Sequence, residues 1–468
     1  MAGPQRVAII GGGISGLATA YFLHASRPAP EVVLLEAGGR LGGKVLTREV
    51  AGHRVDTGPD GFLLRTPGMR ALIDSLGLRP ALVTPASAGA YLWSRSSLRR
   101  LPAGAQFGLP HRIRPLLESR LLSPAGLLRA AGDLVLPATA LPDDPTVAEL
   151  VRARFGDQVL DRLVDPLLGG IHAGRADRLS ARSTVPDIEG LARESRSLHL
   201  ALRRRANGAS SGPAFATLET GMSGLVDALA ATLDDVRLGT AAIAVEPLAH
   251  GYRVHLDPGG PLDVDAVVLA VPAPAAARLL APLAPDAAVA LDEIPYADVA
   301  SVVLAYPQQA VRRPLDGTGF LVPPAEGRLI VGCTWLPAKW SHLADPSVVL
   351  IRCSVGRHGD TRWTVFDDQE LVARVHRELA PALELSAPPL HSHVQRWPHG
   401  LPQYTVGHSG RLGRIDTALR ALPGIHLTGA AYRGVGVAAC VADAERTASV
   451  LIDSGRVRTS GQTTSGQA

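Results

Sequence analysis

Val7-Ala8-Ile9-Ile10-Gly11-Gly12-Gly13-Ile14-Ser15-Gly16-Leu17-Ala18-Thr19-Ala20-Tyr21, followed by Val32-Val33-Leu34-Leu35-Glu36, is the stretch whose reading decides the fold. The short apolar runs 7–10 and 32–35 read as buried parallel strands, and the residues between them as a glycine turn opening a helix. Within this βαβ unit, Gly11-x-Gly13-x-x-Gly16 is the dinucleotide fingerprint. Gly11 permits the tight turn, Gly13 lets the backbone approach a pyrophosphate, and Gly16 lets helix and strand pack closely, with the helix N-terminus facing the phosphates. Gly12, Ile14 and Ser15 complete the turn. Glu36 stands about 20 residues on, where an acid accepts hydrogen bonds from a ribose diol. Glycine turns also arise for purely structural reasons. A strand before, a helix after and an acid at this distance favour a bound dinucleotide.

The residues after Glu36 discriminate between nicotinamide and flavin cofactors. Ala37-Gly38-Gly39-Arg40-Leu41-Gly42-Gly43-Lys44 is a second glycine-and-basic loop, for which a nicotinamide dehydrogenase has no standing need. It resembles the E-x-x-x-R-x-G-G segment of amine-oxidase-like flavoproteins, where glycines and basic side chains meet the diphosphate. FAD is the expected cofactor. Further along, Val55-Asp56-Thr57 runs into Gly58-Pro59-Asp60-Gly61, a turn whose glycines allow the backbone to approach something flat; in that class the object is the isoalloxazine ring. Near the C-terminus, residues 424–437 read as a strand, a glycine loop and a helix start, with N–H groups suited to a flavin edge or phosphate.

Composition narrows the class. With 46% hydrophobic and 19% charged residues the chain is globular, and 468 residues exceed one ordinary core. The net charge of +4 is small for this length, and a pI near 9.2 without an interleaved basic–aromatic patch gives no reason to expect nucleic acid. Lys44 and Lys339 are the two lysines among 47 basic residues, the rest being arginine. Cys333, Cys353 and Cys440 form no C-x-x-C pair; buried thiols in a reducing cytoplasm are the simplest expectation. No run reaches the ~18 apolar residues of a spanning helix, so a cytoplasmic protein, at most loosely attached to a membrane surface, is expected. No His/Cys/Asp cluster has metal-ligand spacing, and no Ser-His-Asp set is evident.

The fold expected is α/β: a Rossmann-like FAD-binding domain, a mixed-sheet substrate domain and a helical insertion. The FAD domain is assigned residues 1–64, 210–275 and 395–453, and the substrate domain 65–90, 185–209 and 276–394. The insertion is assigned 91–184, where Arg95, Arg99, Arg100, His111, Arg112, Arg114, Arg120 and Arg129 are interleaved with Leu/Ala-rich stretches. The Ser/Gly/Thr/Gln-rich tail, 454–468, is expected to be disordered.

Four further segments carry a resemblance that runs nearly end to end. They are Pro166-Leu167-Leu168-Gly169-Gly170-Ile171-His172-Ala173-Gly174 with Leu179-Ser180; Phe215-Ala216-Thr217-Leu218-Glu219-Thr220-Gly221-Met222; Trp397 with Pro402-Gln403-Tyr404-Thr405-Val406-Gly407-His408; and Gly429 to Val437. Together they resemble the oxygen-dependent protoporphyrinogen/coproporphyrinogen oxidases of haem biosynthesis, with His172 in place of the family's usual Tyr and Ala242 in place of its Val. The resemblance implies FAD, a porphyrinogen substrate, O2 as electron acceptor and hydrogen peroxide as product. The flavin N5 would take hydride, so no general base is assigned. It places cofactor contacts on Gly11, Gly12, Gly13, Ile14, Ser15, Gly16, Glu36, Ala37, Arg40, Gly42, Gly43, Lys44, Gly58, Pro59, Asp60, Gly61, Ala242, Trp397, Val435, Gly436 and Val437. Thr66 and Ile171 are its substrate-cavity candidates. Arginine-rich sequence suits the four propionates of coproporphyrinogen III better than the two of protoporphyrinogen. Transient contact with a ferrochelatase is a further expectation. The competing readings are an amine oxidase or desaturase of the same superfamily and a non-catalytic FAD- or porphyrin-binding protein.

Overall fold

The computed structural model describes residues 5–27, 29–137, 140–207 and 213–453; the tail at 454–468 lies outside the described residues. The N-terminal pattern folds as strand β1 (Arg6–Ile10), helix α1 (Ile14–His24) and strand β2 (Glu31–Glu36). Strands β3 (Asp235–Leu238), β4 (Ala266–Leu269) and β5 (Ile425–Leu427) join them, and helix α2 (Val437–Asp453) follows. The sheet is five-stranded and wholly parallel in the order β3-β2-β1-β4-β5, with Val7 opposite both Val32 and Ala266. Its central strands are apolar throughout because both faces are covered. On one face Leu17, Ala18 and Leu23 of α1 pack with Val441, Ala444 and Ala448 of α2, all at most 1% exposed. On the other lie the antiparallel strands Ala241–Pro247, Tyr252–Asp257 and Leu262–Val264 with helices Ala273–Leu280 and Pro285–Asp292.

A seven-stranded mixed sheet forms the second unit. In spatial order its strands are His391–Pro402, Tyr296–Pro307, Val348–Val355, Ile330–Trp335, Gly319–Leu321, Tyr91–Ser94 and Ser97–Arg100. Gly319–Leu321 and Tyr91–Ser94 are its parallel pair. Helix Asp368–Leu383, capped by the Asp367 carboxylate accepting from Glu370 N–H at 2.8 Å, buries Leu371, Val375 and Leu379 against one face. Trp340, Leu336 and Leu343 cover the other face and meet Val50 and Val55, so the sheet closes onto the cofactor domain.

The helical segment runs from Ile113 to Asn207, not over 91–184. At its near end, Tyr91 and Trp93 are buried in the sheet core and residues 91–94 and 97–100 pair as a hairpin, as cross-strand aromatic side chains favour. At its far end, Ile188, Ala192, Leu198 and Leu202 pack into the core shared by Leu150 and Phe155, so 185–207 belong with the helices rather than the sheet. Three of the seven arginines that suggested a basic face have partners for their side chains in the fold. Arg100 pairs with Asp316, Arg114 with Glu118 at 2.8 Å, and Arg129 donates to the carbonyls of Arg152, Ala153 and Arg154. His111 is buried, and burial pushes its pKa down.

Candidate active site

The turn after β1 is held mainly by backbone contacts. Gly11, at φ +112°, donates its N–H to Leu35 O at 2.8 Å, and a Cβ on Gly16 would lie 1.9 Å from Gly11 O. Gly13 differs: a Cβ there would meet nothing nearer than Gly43 Cα at 4.0 Å. That open side is bounded by the second loop, where Gly42 N–H donates to Gly12 O at 2.8 Å and Gly13 bridges Gly42. The Glu36 carboxylate accepts from Gly12 N–H at 2.8 Å and Gly38 N–H at 2.7 Å; a carboxylate's remaining lone pairs stay available to ribose hydroxyls. Glu36 O accepts from Thr240 N–H at 2.9 Å, which brings the strand carrying Ala242 alongside, while Ala37 is exposed.

Arg40 and Lys44 serve different ends. The Arg40 guanidinium donates to Leu41 O at 3.0 Å and Gly43 O at 2.6 Å, bracing its own loop. Lys44 is half-buried and has no ion-pair partner among the described residues; burial pushes its ammonium pKa down. A diphosphate beside it would supply the missing counter-charge. FAD fits this set: glycine faces uncovered at Gly13, Gly39 and Gly436, an ammonium without a counter-ion, an acid at the sugar position and the N-terminus of α1 beside the loop.

The Gly58 turn is latched from the seven-stranded sheet. A Cβ on Gly58 would sit 1.9 Å from Lys44 O, and one on Gly61 2.8 Å from Ala216 O. Arg352 Nη1 donates to Asp56 O at 2.8 Å and Gly58 O at 3.2 Å, and Arg352 Nη2 lies 3.0 Å from Asp60 Oδ2. Lys339 Nζ and Trp340 Nε1 donate to that same oxygen at 2.9 and 3.2 Å. Burial opposes the Asp60 charge, but Arg352 and Lys339 hold its carboxyl well below the usual carboxylate range. The Asp60 side chain is thus committed to the junction between units, leaving the backbone of Pro59 and its neighbours for any cofactor contact. Trp397 Nε1 donates to Thr57 O at 3.1 Å and braces the same turn. Arg352 escaped the sequence reading; a lone charge inside the apolar run Val348-Val349-Leu350-Ile351-Arg352 was its signal.

The C-terminal glycine loop meets the first turn from the opposite side. A Cβ on Gly429 would have Ser15 Oγ as its nearest neighbour, at 3.9 Å. Val435 and Gly436 lead into α2 at Val437, with Val437 buried and Gly436 exposed. Asp443, 4% exposed, accepts from Thr428 Oγ1 at 3.1 Å and Gly429 N–H at 3.2 Å. It too was missed, although a carboxylate within the Ala/Val-rich helix 437–444 marks it. Of the substrate candidates, Thr66 stands at the N-cap position of the helix Pro67–Ser75 and donates its hydroxyl back to Leu63 O at 3.0 Å. Ile171 is 43% exposed on the helix Asp165–His172, while the neighbouring His172 is buried, its pKa lowered by burial to about 4. Among the described residues no group of three or more His, Cys, Asp or Glu side chains could hold a metal ion, and no helix is long and apolar enough to cross a membrane.

A family profile for flavin containing amine oxidoreductases matches residues 14–452. A coproporphyrinogen III oxidase of Bacillus subtilis is 35% identical, covering 94% of this chain and 96% of its own length. One from Staphylococcus aureus is 31% identical over 96% of this chain and 99% of its own. The chain belongs to this family of flavoprotein oxidases. Its fold agrees: a protoporphyrinogen oxidase-like protein from Exiguobacterium superposes with a TM-score of 0.86 at 33% identity, covering 96% of this chain and 99% of that one. The family is an oxidoreductase family and its cofactor is FAD, which the glycine and lysine geometry fits.

Proposed function

We propose that the chain oxidises coproporphyrinogen III to coproporphyrin III with O2 as electron acceptor and hydrogen peroxide as product. The observation that carries this reading is the end-to-end likeness to coproporphyrinogen III oxidases, which spans the cofactor loops and the helical segment alike. Bound FAD supplies two-electron acceptance and reoxidation by O2. The work left to the protein is positioning. Gly13, Gly43 and Lys44 would hold the diphosphate, Glu36 the ribose, and the turn at 58–61, braced by Arg352 and Trp397, the ring. Leu63 and Phe215, paired in register beside Thr66 and 45% and 52% exposed, offer apolar surface for a flat macrocycle, as does Ile171. Since Arg100, Arg114 and Arg129 are engaged locally, the basic groups left for propionates among those singled out in the sequence include Arg95, Arg112 and Arg120.

Aerobic incubation of the yellow protein with coproporphyrinogen III and, separately, protoporphyrinogen IX, read by porphyrin fluorescence and peroxide, tests the assignment. Faster turnover of coproporphyrinogen is expected. Preference for protoporphyrinogen keeps the family and reverses the substrate, and no porphyrin from either removes the reading. Loose membrane attachment through the exposed Leu117, Leu128, Val135 and Leu136 belongs to the same proposal and is checked by co-sedimentation with anionic vesicles. Hand-over of product to a ferrochelatase is checked by cross-linking during turnover.

A further inference from the structure

Residues 402–408, Pro-Gln-Tyr-Thr-Val-Gly-His, run between the helical segment and the C-terminal glycine loop, and nothing in the proposed reaction uses them. They are tied at both ends. Towards the helices, Ser180 N–H donates to Tyr404 O at 2.8 Å, Val406 N–H to Arg178 O at 3.2 Å, and Gly407 N–H to Asp144 Oδ2 at 2.7 Å. Gln403 Nε2 donates to His172 O at 2.8 Å, next to Ile171. Towards the glycine loop, the Tyr404 ring is 3% exposed, and its hydroxyl donates to Ala430 O at 2.6 Å while accepting from Gly434 N–H at 2.7 Å. His408 stacks on that ring with centroids 4.1 Å apart and planes 14° apart, and its Nε2 lies 3.2 Å from Tyr432 O. Burial keeps His408 neutral, its pKa lowered to about 4, so Nε2–H donates to this carbonyl.

One hydroxyl therefore closes the loop from Ala430 to Gly434. Gly434 itself lies close against α2: it sits at φ +139°, and a Cβ there would lie 2.5 Å from Ala439 Cβ. Val435, Gly436 and Val437 follow at once and start α2. A ring that served packing alone would need no hydroxyl with two buried backbone partners. We infer that Tyr404 is a positioning residue for the cofactor: its hydroxyl sets the course of residues 430–434 and so the aim of the α2 N-terminus at the flavin, while its backbone ties that setting to the helical segment. This rests on the FAD reading above, and it names a residue that acts through the loop rather than by contact with substrate.

Tyr404→Phe keeps the ring and its stack while leaving Ala430 C=O and Gly434 N–H without their partner. The FAD dissociation constant, measured by flavin fluorescence, should rise about tenfold or more, the factor expected for one unpaired buried group. The flavin midpoint potential and absorption band should shift with it. Asp144→Ala, at the other end of the tie, should raise the dissociation constant by a smaller factor, and it decides the matter if Tyr404→Phe does not fold. An unchanged dissociation constant, spectrum and potential in Tyr404→Phe, even with a lower melting temperature shared by apo- and holoprotein, would overturn the inference. So would an unchanged constant in Asp144→Ala when that variant is decisive. A parent protein that binds no FAD would instead overturn the cofactor reading itself.

Discussion

Two glycine loops converge on the proposed cofactor site, and they are held differently. The N-terminal turn is held mainly by backbone: Gly11 N–H reaches Leu35 O and Gly42 N–H reaches Gly12 O, while the Glu36 carboxylate takes Gly12 N–H. The C-terminal loop is held by side chains: Tyr404 and His408 from a separate connecting segment, and Asp443 from within the following helix. A backbone contact tolerates no added atoms but needs no particular partner residue, so of the first turn's contacts only that to the Glu36 carboxylate depends on residue type. A side-chain-held loop depends on individual groups, each of which a single substitution can remove.

That contrast predicts the order of damage to folding stability. Gly16→Ala comes first, because its Cβ would lie 1.9 Å from the Gly11 carbonyl oxygen, against backbone that cannot give way cheaply. A loss of about 3 kcal/mol or more is expected, read by chemical denaturation of the apoprotein. Acid comes next. His172 and His408 are neutral and buried, with folded pKa values lowered to about 4 from 6.5, so the unfolded chain binds more protons between those limits. Stability should fall as pH drops from about 6.5 to 4, by at most about 3 kcal/mol per histidine. Asp56 works the other way: burial raises its carboxyl to about 6, so the native state holds a proton that the unfolded chain releases down to about 4. Asp56→Asn should therefore steepen the acid loss in equilibrium unfolding curves, and an unaltered slope would remove Asp56 from this account.

Asp443→Ala should cost about 1–3 kcal/mol, the penalty for leaving Gly429 N–H and the Thr428 hydroxyl unpaired, with weakened FAD retention as a second readout. Gly13→Leu should be the mildest for the fold, within about 0.5 kcal/mol, since the position opens onto free space. It should nonetheless yield colourless protein, because the side chain fills the space assigned to the diphosphate. Retained yellow colour in Gly13→Leu would break the comparison at its root, and a large loss of stability would show that the space is not free.

The cofactor half of the molecule was legible from residue types because its determinants are local. An apolar run too short for a helix, glycines at fixed offsets and an acid at the end of the next strand each specify backbone geometry without reference to distant residues. Residues 91–100 were harder. Arg99 and Arg100 suggested a basic helical face, but the alternation through Tyr91 and Trp93 places them at a sheet edge, with Arg100 over the Tyr91 ring. Residues 185–207 could be assigned only through the core they complete with Leu150 and Phe155.

By itself, then, the sequence determined the βαβ unit, the FAD-type loops and the family, since those depend on spacing and on which residues lack a side chain. The tertiary structure decided which polar groups meet: Arg352 with the Gly58 turn, Asp60 with Lys339, Asp443 with Gly429, and Tyr404 with both sides of the second loop. The reason is physical. A glycine pattern encodes a local conformation, whereas a buried donor or acceptor takes as its partner whatever group the folded chain brings within about 3 Å, whatever their separation in sequence.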